Sequence, residues 1–139
     1  MTNWQGHNPT VAKALSQIVD RASSGAGDLS RGERLLYTVA EFWAALRTHE
    51  LASRLKRDPE NQLLAASVAF IEMGAPEVAG KLRVALCRIQ AAPVSQRKTR
   101  EVARSLEREL LNTDEPVDQL LAKLAANHIY ETRLRSRNL

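Results

Sequence analysis

The sequence predicts an all-α fold, a compact single-domain bundle of five to seven helices over residues 1–139. Apolar residues recur at spacings of three and four in one segment after another, the pattern of helices with one buried face. Most of these segments are bounded by proline, glycine or a capping serine, asparagine or aspartate. No stretch alternates apolar and polar residues for long enough to make a strand, and there is no internal repeat or low-complexity tract. At 139 residues and 44% hydrophobic content, the chain can close one core without disulfide or metal staples.

Asn8 and Pro9 read as an N-cap followed by proline at the first helical position, where its missing N–H is harmless. The helix they open carries Val11, Leu15, Ile18 and Val19 on one face and ends in the Ser23-Ser24-Gly25-Ala26-Gly27 link. The run Ser30 to Leu51 then reads as the central helix. Ser30 and Glu33 form an S-x-x-E capping box, and Leu35, Val39, Phe42 and Leu46, widened by Leu36 and Trp43, make a broad apolar face. Beyond Leu46 the pattern turns mixed, and the helix either continues or breaks before Asp58-Pro59.

Asp58 and Pro59 start the next helix, whose Leu63 to Ile71 run is apolar almost all round and so is expected to be buried. Gly74 ends it and Pro76 opens another two residues later, giving a helical hairpin. That second arm, about Pro76 to Ala91, places Val78, Leu82, Ala85, Leu86 and Ile89 inward, with Gly80 where a neighbouring helix can approach. Pro93 breaks the chain, Ser95 caps a helix with Val102, Leu106 and Leu110 inward, and Pro116 opens the last helix along Val117, Leu120, Leu121, Leu124 and His128. Residues 1–7 and 133–139 read as flexible ends, with Trp4 either an exposed anchor for a partner or a lid on the core.

Two stretches taken together, Leu29 to Leu46 (LSRGERLLYTVAEFWAAL) and Ala65 to Leu82 (AASVAFIEMGAPEVAGKL), resemble the small all-helical bacterial family that includes the dimeric DNA-mimic proteins. In that family a capped aromatic helix precedes an apolar helix ending in a Gly-Ala motif. Two features depart from the pattern. The Asn-Gly-Gly-aromatic segment that usually follows the aromatic helix is replaced by Arg47-Thr48-His49-Glu50-Leu51, and a net charge of +4 is the opposite of the carboxylate-dense surface that imitates phosphates. The resemblance therefore implies a helical fold and self-association as a homodimer; it transfers neither mimicry nor any functional residue.

The charge excess is localised. Residues 81–104 hold seven Lys and Arg against Glu101 alone, a balance of +6, whereas residues 105–132 sum to −4. Arg97, Arg100, Arg104 and Arg108 follow at spacings of three and four, opposite Val102, Leu106 and Leu110, and with Arg88 they form the candidate binding surface. Such a stripe contacts phosphates or an acidic protein, or is an ordinary solvated face softened by Glu101, Glu107 and Glu109.

Catalysis is not expected. His7, His49 and His128 are far apart in sequence and lack metal-ligand spacing, so neither a metal nor another cofactor is implied. Cys87 has no oxyanion or phosphate loop beside it and reads as a small core or interhelix residue. A lone cysteine excludes an intrachain disulfide and favours the reducing cytoplasm; no secretory leader or membrane span is read. The hairpin at Gly74 is not read as a DNA-binding helix-turn-helix, because Phe70 stands where a small residue lets the helices approach. The expectation is a non-catalytic protein-interaction module, a small bacterial regulatory or inhibitory protein with an unidentified protein partner; the alternative is nucleic-acid binding through the basic face of residues 81–108.

Overall fold

Ser30 starts the helix around which the others gather. Its hydroxyl accepts from the Glu33 N–H at 3.2 Å while a Glu33 carboxylate oxygen accepts from the Ser30 N–H at 2.9 Å, so the capping box forms in full. The structure, a computed structural model, describes residues 8–23, 29–91 and 95–137. It contains α1 (Pro9–Ser23), α2 (Arg31–Arg47), α3 (Leu51–Leu55), α4 (Pro59–Met73), α5 (Pro76–Gln90), α6 (Gln96–Leu111) and α7 (Val117–Arg137), with no strand among the described residues. Trp4, His7, residues 24–27 of the 23–27 link and Pro93 lie outside them. α7 continues through Arg137, into the stretch expected to be a flexible end.

α2 packs against α1, α3, α4, α6 and α7, which makes it the central helix the aromatic run implies. Leu36, Val39, Ala40, Phe42, Trp43 and Leu46 are its core residues; Leu35 is only half-buried. Phe70 of α4 meets Phe42 edge-on at 6.0 Å between ring centroids and lies 6.1 Å from Trp43. α1 pairs with α7, and α4 with α5 forms the most extensive contact of the fold.

The break after Leu46 falls at Thr48–Glu50. The Thr48 N–H and hydroxyl both donate to the Ala44 carbonyl, Glu50 N–H reaches back to Ala45 O at 2.8 Å, and His49 sits in the left-handed region at φ 59°. Side chains other than glycine reach that conformation only where the surroundings hold it. At the α4–α5 turn Gly74 has φ 99°, where glycine suffers no Cβ penalty, and Ala75 N–H closes the turn on Phe70 O at 2.8 Å.

Three packing expectations are corrected. α4 is not covered all round: Leu64, Val68 and Ile71 are 46%, 44% and 48% exposed. Gly80 faces open space, because α5 turns its other side to α4 and α6 and a Cβ there would meet nothing within 4 Å. Cys87, on the same outward side of α5, is exposed and packs in no core.

Candidate binding surface

α6 presents its polar face because Thr99, Val102, Ala103, Leu106, Glu107 and Leu110 fill the inner one. Arg97, Arg100, Arg104 and Arg108 are all exposed on the outer face, and Arg88 is exposed on the adjoining α5. A rise of about 1.5 Å per residue sets Arg100, Arg104 and Arg108 about 6 Å apart along the axis, a regular cationic row.

Neutralisation of this row differs from the expectation. Arg97 Nε pairs with Glu101 at 3.4 Å, both largely exposed, an interaction worth little in water. Glu107 belongs to the inner face: it is 8% exposed, and His49 Nδ1 lies 3.0 Å from its carboxylate, tying the α2–α3 turn to α6. Glu109 accepts instead from the Ser105 hydroxyl at 3.5 Å. The i,i+4 spacing misplaces Glu107 because its carboxylate turns inward to His49 of the α2–α3 turn, not to the arginines. Arg100, Arg104 and Arg108 therefore have no acidic partner among the described residues. Only Arg133 of the C-terminal arginines has a described side chain, and it too is exposed.

The second surface is apolar and was not anticipated. Leu64, Val68 and Ile71 stand at i, i+4 and i+7 on α4, forming one ridge that no other described element covers. An all-round apolar sequence cannot tell a helix buried on every side from one with an uncovered face; only the number of packed neighbours does.

Elsewhere the polar groups tie the bundle together. Glu33 is 1% exposed and held by Ser30 and by Arg21 of α1. Burial works to raise its pKa, yet the Ser30 hydrogen bonds together with Arg21 and His128 outweigh that and hold the carboxyl below its ordinary value. Arg54 of α3 pairs with Glu41 of α2, and burial lowers its pKa with Tyr37 opposing. Arg47 pairs with Asp118 of α7. His128 is half-buried on α7, whereas Cys87 points outward from α5, which packs on α4 and α6. Among the described residues no three His, Cys, Asp or Glu side chains gather where a metal ion would fit, and no helix is long and apolar enough to cross a membrane.

Compared with known proteins, the chain matches no family model, no curated sequence and no solved structure.

Proposed function

We propose that this chain is a non-catalytic protein-interaction module, a small bacterial regulatory or inhibitory protein acting in the cytoplasm. The observation that carries the proposal is the uncovered Leu64–Val68–Ile71 ridge on α4. Three large aliphatic side chains in one row, each nearly half in water, form a surface that association removes from solvent. The resemblance of residues 29–46 and 65–82 to the small all-helical bacterial family that includes the dimeric DNA-mimic proteins supports self-association, with a second copy of the chain as one partner. The test compares wild type with Leu64→Asp/Val68→Asp. Both positions are exposed, so the variant keeps its helical spectrum, loses any self-association in sedimentation, and fails to retain host proteins that wild type captures after nuclease treatment. Identical mass and identical captured proteins for the two forms refute the reading.

A second reading, nucleic-acid binding through Arg97, Arg100, Arg104, Arg108 and Arg88, is favoured by one observation: four of these five arginines have no acidic partner among the described residues. Engagement of about four phosphates predicts a slope of about −3.6 for log affinity against log salt on duplex DNA, abolished by Arg100→Glu/Arg104→Glu. A flat salt response with no mobility shift removes this reading.

A further inference from the structure

Where α3 meets the start of α6, a cavity of about 320 Å³ opens between Ala52, Ser53 and Lys56 on one side and Ser95, Gln96, Thr99 and Arg100 on the other. Its polar groups divide into used and unused. The Ser95 hydroxyl accepts from the Lys98 N–H at 3.1 Å, and the Thr99 hydroxyl donates to the Ser95 carbonyl at 3.1 Å. The Ser53 hydroxyl, the Gln96 amide, the Lys56 ammonium and the Arg100 guanidinium have no hydrogen-bond or ion-pair partner among the described residues.

No carboxylate lines the cavity among the described residues, so two uncompensated cations, Lys56 just past α3 and Arg100 on α6, share one concave space. Like charges brought together repel unless an anion lies between them. We infer that this cavity binds a dianionic phosphate group. A carboxylate would neutralise one of the two charges, whereas phosphate with charge −2 matches both, its oxygens taking a forked pair of bonds from Arg100 and a point charge from Lys56. Hydroxyl and amide donors from Ser53 and Gln96 suit its remaining oxygens. The volume, near the lower end of the range of about 300–1,000 Å³ for ligand sites, suits phosphate alone or on a short carbon skeleton. The site shares only Arg100 with the arginine row and is independent of the α4 ridge.

The test is an amide chemical-shift titration of the full chain with inorganic phosphate, glycerol phosphate and acetate at matched ionic strength. Both phosphates produce saturating shifts at Ser53, Gln96 and Arg100, and acetate does not. Tighter binding of glycerol phosphate assigns an organic monoester, and equal binding assigns the free ion. Lys56→Ala/Arg100→Ala, exposed positions that leave the helical spectrum unchanged, weakens phosphate at least about tenfold, while Arg104→Ala/Arg108→Ala changes it by less than about twofold. The proposal is overturned if acetate acts like phosphate, if no shift saturates, or if the Arg104/Arg108 variant loses as much affinity. It is also overturned if a duplex lacking terminal phosphates moves the same amides as strongly, because the cavity would then belong to the nucleic-acid reading.

Discussion

Trp43 offers a quantitative probe of the bundle, because two substitutions there separate its bulk from its polar atom. The side chain is 5% exposed, lies 6.1 Å from the Phe70 ring, and its indole N–H is buried with no acceptor among the described residues. Truncating a buried tryptophan to alanine costs about 3–5 kcal/mol, a large share of the 5–15 kcal/mol that holds a typical domain. With an unfolding entropy of about 2.1 cal/mol/K per residue over 139 residues, 1 kcal/mol moves the Tm by about 3 °C, so Trp43→Ala lowers it by about 10–17 °C. Trp43→Phe behaves differently. It also removes ring volume, but it deletes an unmet donor whose burial costs about 1–3 kcal/mol, so the two effects nearly cancel and the Tm moves by only a few degrees. Far-UV circular dichroism melts of both variants against wild type read this out. If Trp43→Phe falls as far as Trp43→Ala, the indole N–H has a partner and the account of this site is wrong; if neither moves, α2 is not the core helix.

Three further outcomes follow from the caps and turns. Glu33 has its pKa depressed in the folded state, so its contribution to stability is complete above the ordinary glutamate value and is lost as pH falls through the lower folded value. Denaturant midpoints of wild type and Glu33→Gln should accordingly converge on acidification; a gap that stays constant from neutral pH down into that range contradicts it. Gly74→Ala introduces a Cβ that clashes with nothing, its nearest neighbour being Leu120 Cδ2 at 4.0 Å, but forces alanine to φ 99°, costing about 1–2 kcal/mol in urea unfolding. At His49, Gly relieves left-handed backbone strain while removing the bond to Glu107, whereas Ala removes the bond and keeps the strain. His49→Gly should therefore be more stable than His49→Ala by about 1 kcal/mol, and equal stabilities would show that φ 59° carries no strain.

Local signals were legible wherever the chemistry is local. Ser30 with Glu33, Asp58 before Pro59, and Gly74 before Pro76 each start or stop a helix through groups within four residues, and each does so in the structure. The break at Thr48–Glu50 carries no such signal. A histidine stands at its left-handed position, held there by backbone bonds and by Glu107, 58 residues further along the chain. Cys87, Gly80 and the outer side of α4 were misread for a related reason. Their patterns fix a helical face but not whether another helix reaches it, and among the described residues α5 packs chiefly on α4 and α6. The arginine row was visible in its spacing, while the inward turn of Glu107 and the place of Lys56 and Arg100 on one cavity depend on how the segments around α3 and α6 meet.

The pairing of α1 with α7 has a consequence for how the molecule comes to exist. Ser23 and Val117 are 94 positions apart, so α1 is made well before the helix it pairs with. Val11, Ala14, Leu15 and Ile18 are buried in the finished bundle, and until α7 is made α1 has only α2 of its two packed neighbours. On the ribosome this helix keeps a sticky, unfinished edge until α7 follows, open to chaperones and to other nascent chains. A late ring closure of this kind also slows refolding relative to bundles whose helices pair only with their sequence neighbours.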